Sequence, residues 1–157
     1  DDWFSSVFVL EYLDYFYNKH NCWMTYGTYQ IYPTGQDGSH HCIEIPQKVH
    51  ESNQYRNWVH VYSHLRTHKA FLFYKLKESD LIDSRSGKFY TEATDCAYLF
   101  SLAEMCGSAD KIKLIKDILL VLNRVNPNQA AGNLEKQKST EAHIRSLQPF
   151  SKLKYDN

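Results

Sequence analysis

Apolar residues recur at helical intervals near the start of the chain and predict a first helix over residues 3–19. Asp2 stands just before this segment, where its carboxylate can accept hydrogen bonds from the free N–H groups of the first turn. The segment contains enough aromatic residues for more than one side of the helix to be buried. The apolar positions at helical spacing are Phe4, Val7, Phe8, Leu10, Leu13 and Phe16.

The next pattern is typical of a β-hairpin. Residues 22–32 are rich in tyrosine, threonine and isoleucine, which favour strands. The cluster of proline, glycine and polar residues at 33–38 predicts a turn. Residues 39–45 are expected to return as an antiparallel strand that ends at Pro46, and the polar residues 47–56 predict a loop.

Residues 57–68 alternate between aliphatic or small residues and large polar or aromatic ones, which predicts a strand with two different faces. A helix beginning at Ser52 competes with this prediction, because several apolar side chains of the segment also recur at helical intervals. We favour the strand, since Val59 and Val61 are β-branched. The apolar run 70–76 predicts a further strand, so the sheet should contain about four strands.

The second half of the chain predicts helices. Thr91 or Thr94 can cap a helix that runs to Cys106, and Gly107 is placed to end it. Ser108 can then cap another helix, which stops before an Asn-Pro pair. The apolar stripe of this last helix consists of Ile112, Ile115, Leu119 and Leu122.

These elements predict a single α+β domain over residues 1–126. It should contain an N-terminal helix, an antiparallel sheet of about four strands and C-terminal helices packed on one face of the sheet. A length of 157 residues with 43% apolar content is sufficient for one well-buried core. Residues 127–157 are expected to form a polar tail that is partly helical, over Ser139 to Leu147, or mobile.

The charges are balanced overall but distributed unevenly. Lys and Arg number 18 against 18 Asp and Glu, so the whole chain exerts no long-range attraction on nucleic acids or anionic lipids. Residues 1–47 carry one lysine and six acids, whereas residues 48–78 carry six basic residues and two acids. Four of the eight histidines lie in this basic window, so its charge should rise further as the pH falls through about 6.5.

The four cysteines and the lack of a signal peptide predict free thiols in an intracellular, cytoplasmic protein rather than a disulfide framework. No stretch of the sequence approaches the roughly 20 apolar residues that a membrane span needs. Glu11 and Asp14 interrupt even the apolar first helix. We therefore expect no membrane interaction.

The alternating segment also carries the candidate chemistry. His60, His64 and His68 are spaced by four, so they share one side of either a strand or a helix. Two imidazoles can act as acid and base, and Arg66 can stabilise a negatively charged phosphate. The candidate catalytic residues are therefore His60, His64 and His68. The candidate nucleic-acid contacts are Arg56, Trp58, Tyr62, Arg66 and Lys69.

A zinc site formed by these histidines would require the helical alternative. Residues four apart on a strand are separated by roughly 13 Å, which is too far for ligands that must each lie about 2.1 Å from one ion. A second candidate set combines Cys22 with His40, His41 or Cys42, but the predicted hairpin separates Cys22 from Cys42. We therefore predict no metal site and no cofactor.

Two kinds of function fit the aromatic and basic segment. The first is a nucleic-acid-binding domain, extended in one version to metal-independent cleavage of RNA. The second is a non-enzymatic module, such as an inhibitor or assembly subunit, that docks on a protein partner through the same face. The basic middle of the chain favours nucleic acid, while the acidic first third favours a protein partner.

Overall fold

The fold is organised around two long parallel strands that come from opposite halves of the chain. The computed structural model describes residues 2–38, 40, 42–125 and 133–154. The strands are β1 Trp3–Phe4, β2 Met24–Tyr32, β3 Gln36–Asp37, β4 Thr67–His68, β5 Ile82–Asp83, β6 Lys88–Phe89 and β7 Ile112–Asn123. The helices are α1 Val9–His20, α2 Gln47–Ser52, α3 Ala70–Phe73, α4 Thr94–Cys106 and α5 Leu134–Ser146, with short 3₁₀ turns at Tyr55–Asn57 and Glu78–Leu81.

The main sheet is mixed. Its strands follow the order β1-β7-β2-β3, and β4 also pairs with β2. β2 and β7 run parallel, whereas β1, β3 and β4 pair antiparallel with their neighbours. β5 and β6 form a separate two-stranded hairpin. The predicted α+β class is therefore confirmed, while the expected antiparallel pairing is corrected at the central pair of strands.

Strand β7 occupies the segment for which the sequence predicts a helix. Its pairing with β2 is irregular, because Gly27 lies opposite Ile115 whereas the next residue of β2 lies opposite Ile118. A second shift follows, because Tyr29 lies opposite Leu120, and the three extra residues of β7 change which side chains face inward. Apolar residues at helical spacing, such as Ile115 and Leu119, can therefore both be buried in a strand.

Helices cover both faces of the sheet. On one face, Val9 and Leu13 of α1 pack against Ile115 and Leu119 of β7. On the other face, α4 packs on β2 and α5 packs on α4. This arrangement confirms that the C-terminal helices share one face, and it places the N-terminal helix opposite them.

Helix α4 lies at the centre of the molecule and ends as predicted, but its N-cap is Ala93 and not Thr91 or Thr94. It ends where Gly107 adopts a left-handed conformation with φ of 59°, and the N–H of this glycine donates to the carbonyl of Ala103. Ten of its thirteen residues are buried, so the helix is enclosed by the sheet, α5 and the 3₁₀ turns.

Residues 57–68 form neither the predicted strand nor the competing helix. Only β4 pairs regularly, with Met24 and Thr25. Further along the same edge of β2, the carbonyl of Gly27 accepts from the Cys42 thiol instead of from a strand. The chain between Trp58 and Arg66 reaches this edge, where the N–H of Gly27 donates to the carbonyl of Ser63 at 3.3 Å. It does not continue the ladder, because the Cys42 thiol occupies the neighbouring acceptor.

Two smaller strand predictions are also wrong. Residues 42–45 are not a strand. The Tyr26 hydroxyl donates a hydrogen bond to the carbonyl of Ile43 at 2.8 Å, so a side chain and not a neighbouring strand contacts this segment. Residues 39 and 41 lie outside the described part of the chain. The apolar run at 70–76 begins with the short helix α3.

The C-terminal segment contributes to the core. Ile144 of α5 is fully buried, and Asn133 caps the helix by accepting a hydrogen bond from the N–H of Lys136. The predicted helix over Ser139 to Leu147 thus begins earlier, at Leu134. None of the helices in the described part of the chain combines the length and apolarity that crossing a bilayer requires.

Candidate functional site

An open cavity of about 370 Å³ lies on the face of the sheet that α4 covers. We call it the histidine–arginine pocket. It brings together side chains from β2, from the irregular segment before β4, from the first turn of α4 and from the end of β7. Its lining residues are Tyr29, His60, Val61, Tyr62, Ser63, His64, Arg66, Asp95, Leu122 and Arg124.

Arg66 is held at the pocket wall by two contacts. Its Nη1 atom lies 2.9 Å from Oδ2 of Asp95 and 3.2 Å from the carbonyl oxygen of Tyr62. Asp95 is in the first turn of α4, so the ion pair joins the irregular segment to that helix. Both partners stay partly exposed, which leaves other N–H groups of the guanidinium accessible from the pocket.

Aromatic rings surround the two histidines of the pocket. The His60 ring contacts Tyr62 and Phe100 edge to face, and His64 packs in the same way against Tyr29. Burial lowers the pKa of His60 and the pKa of His64, because desolvation disfavours the charged imidazolium. Arg66 lowers both pKa values further, so both rings are neutral at pH 7.

Asp95 and Cys96 form the wall beneath His60. Burial alone would raise the pKa of Asp95, but the positive charge of Arg66 and contact with His60 outweigh it and hold the pKa below its ordinary value. Burial also raises the pKa of the Cys96 thiol to about 12. One carboxylate oxygen, the thiol sulfur and one ring nitrogen of His60 all lie within 4.8 Å of one another.

Arg124 supplies a second guanidinium to the pocket. It follows the last residue of β7, and its backbone N–H donates to the carbonyl of Tyr32, which fixes its position at the end of the sheet. The residue is exposed. The positive charges of Arg66 and Arg124 and the negative charge of Asp95 give the lining a net charge of +1. The pocket is therefore suited to an anion.

The pocket contains part of the predicted site. It brings together His60, Tyr62, His64 and Arg66. The predicted alternation of exposed and buried side chains is not observed, because Tyr62 is only 2% exposed and packs between the rings of Tyr26 and Phe100. Val59, expected to face the core, is 56% exposed.

The other predicted residues lie elsewhere. His68 is in β4, where it stacks on Phe73, and Lys69 follows it near Trp23. Trp58 packs against the core under the ammonium group of Lys48. Arg56 is only 6% exposed and bonds to Glu104, so it is not available at a surface.

Sequence reasoning missed Asp95 and Arg124 of the pocket, and Cys96 beside it. Asp95 and Cys96 lie at the start of a correctly predicted helix, and a helix start next to a basic segment is a weak signal that could have pointed to them. Arg124 was assigned to the end of a predicted helix, and no feature of its sequence context places it near His64.

The comparisons with known proteins give no further identification. No protein-family model, no curated protein and no solved structure matches this chain.

Proposed function

We propose that this protein binds the phosphate backbone of single-stranded nucleic acid in the histidine–arginine pocket. The observation that carries the proposal is the convergence of two guanidiniums and two imidazoles on one open cavity. Arginine recognises phosphate through paired N–H donors, and neutral imidazoles add single donors.

The positions of the cations favour an extended ligand over a small one. Lys69 follows β4, which pairs with the first residues of β2, while Arg124 lies beside the last residue of β2. The length of β2, nine residues at roughly 3.3 Å each, therefore separates them. Because β4 and β7 flank opposite edges of β2, a strand of nucleic acid would cross β2 to meet Lys69, Arg66 and Arg124 in turn.

The test is the salt dependence of binding to a single-stranded RNA of mixed sequence, measured by fluorescence anisotropy. The logarithm of the binding constant should fall with the logarithm of salt concentration by about 0.7 for each phosphate contact. Arg124→Ala should reduce that slope by about 0.7, and Arg66→Ala should do the same. Lys116→Ala is the matched control, because Lys116 is an exposed cation of β7 that does not line the pocket.

The proposal fails if binding is absent, or if both arginine variants keep the slope of the unmodified protein. A stoichiometric protein partner that survives nuclease and high salt in a pull-down would favour the interaction module instead. The two functions therefore give opposite responses to nuclease and to salt.

Cleavage of RNA by His60 and His64 stays a prediction. General acid–base catalysis needs one protonated and one neutral group at the same time, and burial lowers the pKa values of both histidines, which disfavours the protonated acid at neutral pH. Binding is therefore better supported than cleavage. Incubation of labelled RNA with the protein in EDTA tests the prediction, and intact RNA after prolonged incubation would remove it.

A further inference from the structure

We propose that His60, Asp95 and Cys96 bind a divalent transition-metal ion of the zinc class. This site borders the histidine–arginine pocket but does not depend on nucleic-acid binding. Within the described residues, it is the group of histidine, cysteine and acidic side chains whose ligand atoms approach one another closely enough to hold an ion.

The donor set matches the chemistry of zinc. An imidazole nitrogen, a carboxylate oxygen and a thiolate sulfur are the three kinds of protein ligand that zinc accepts. With metal–ligand distances of about 2.0 to 2.3 Å, the donors around a tetrahedral ion lie roughly 3.3 to 3.8 Å apart. The three donor atoms lie within 4.8 Å of one another, so a contraction of about 1 Å, by rotation of side chains, would close the site.

His60 offers an imidazole that no group of the described residues hydrogen-bonds. Neither nitrogen makes a hydrogen bond to the described residues, and Nε2 is shielded from solvent. A buried polar atom without a partner is costly for a folded protein and calls for an explanation. A bound metal ion provides one, because it takes a lone pair of the imidazole and fixes its orientation.

The two other ligands are held by helix α4. Asp95 and Cys96 are adjacent in its first turn, and Oδ1 of Asp95 accepts from the N–H of Cys96 at 2.9 Å, which fixes the carboxylate relative to the thiol. The second oxygen of Asp95 accepts a hydrogen bond from Arg66. In known metal sites, a hydrogen-bond partner of this kind orients the carboxylate that binds the ion.

The two anionic ligands match the charge of the ion. On coordination the Cys96 thiol releases its proton to water, so the ligands contribute one carboxylate and one thiolate against the two charges of the ion. Arg66 then gives the site a net charge of +1. Because His60 and Asp95 line the pocket, the fourth coordination position is accessible to water or to an anionic ligand.

The experiment uses Co²⁺ as a spectroscopic substitute for Zn²⁺ on the chelator-treated, reduced full chain. Addition of Co²⁺ should produce a sulfur-to-metal charge-transfer band in the near ultraviolet with a stoichiometry of one, and Zn²⁺ should remove it. His60→Gln and Cys96→Ser should each weaken binding at least about tenfold. The matched controls are His68→Gln and Cys42→Ser, which change the same residue types outside the cluster and should keep the band.

Cys96 is buried, so circular dichroism without metal establishes whether Cys96→Ser folds. His60→Gln, at a half-buried position, gives a second and gentler variant. The proposal is overturned if the unmodified protein gives no charge-transfer band, or if folded His60→Gln or folded Cys96→Ser binds Co²⁺ as tightly as the unmodified protein. A band that disappears in Cys42→Ser instead would also overturn it, because the ion would then be bound at a different thiol.

Discussion

Arg56 and Glu104 form a buried, two-pronged ion pair, with Nε of the arginine 2.6 Å from Oε1 and Nη2 3.0 Å from Oε2. Arg56 also donates to Ser101 and to the carbonyl of Ile144, while Oε2 of Glu104 accepts from the N–H of Phe150. The pair therefore connects the 3₁₀ turn before the pocket, helix α4 and the C-terminal segment.

Removing one charge of this pair should be strongly destabilising. In Glu104→Gln the Arg56 guanidinium stays buried without its counter-charge, and the free energy of unfolding should fall by about 3 to 5 kcal/mol. Lys116→Ala is the control, because its pairing with Glu44 is exposed and should be worth less than about 1 kcal/mol. Urea unfolding measures both, and equal losses in the two variants would contradict the argument.

The docking of helix α5 should depend strongly on one buried apolar side chain. Ile144 is fully buried beneath α4, so Ile144→Ala should lower the free energy of unfolding by about 2 to 5 kcal/mol. Leu147→Ala, at a position that is 37% exposed, should have a much smaller effect. Hydrogen exchange of the α5 amides gives a second readout, and unchanged protection in folded Ile144→Ala would show that the helix docks through other contacts.

The glycine that ends α4 should tolerate substitution poorly. Gly107 has φ of 59°, and an added Cβ would collide with the Lys152 side chain. Gly87 has a similar φ of 68° but open space around it, so Gly87→Ala reports the backbone cost alone, about 1 to 2 kcal/mol. Gly107→Ala should cost more, as measured by urea unfolding, and the reverse order would exclude the collision with Lys152.

Stability should fall in mildly acidic solution because of the pocket histidines. The pKa values of His60 and His64 are lowered in the folded chain, so below about pH 6.5 the unfolded chain takes up protons first. Each histidine then reduces the free energy of unfolding by at most about 1.4 kcal/mol per pH unit, until the pH passes its folded pKa. Above pH 7 the effect disappears.

Urea unfolding between pH 7.5 and 5.0 measures this effect, and the double variant His60→Gln, His64→Gln isolates it. Other titrating groups, such as His50, whose pKa is also lowered by burial, are common to both proteins and cancel in the comparison. The difference in stability between the two proteins should therefore change with pH below about 6.5. A constant difference across this range would mean that neither imidazole resists protonation.

The sequence predicted elements well where local signals and packing agree. Helix α4 has an apolar composition, a start near Thr94 and a glycine stop, and all three signals lie within the element itself. Strand β2 likewise carries β-favouring residues along its whole length.

The failures both concern how the two edges of β2 are paired. The segment at 57–68 has the alternation of a strand, but the Gly27 carbonyl at that edge is already bonded to Cys42. The bulge in β7 gives a strand the spacing of a helix. Both effects depend on distant residues, so no local pattern could reveal them, and Arg124 and Asp95 were missed at the pocket for the same reason.

The parallel pairing of β2 with β7 determines when the chain can fold during its synthesis. β2 emerges from the ribosome early, yet its central partner is complete only when Asn123 has been added. Until then one edge of a tyrosine-rich strand has no ladder partner, and exposed edges of this kind recruit other chains. A nascent chain that stalls before Ile112 is therefore expected to need chaperone protection of this edge, and completion of β7 should cover the edge.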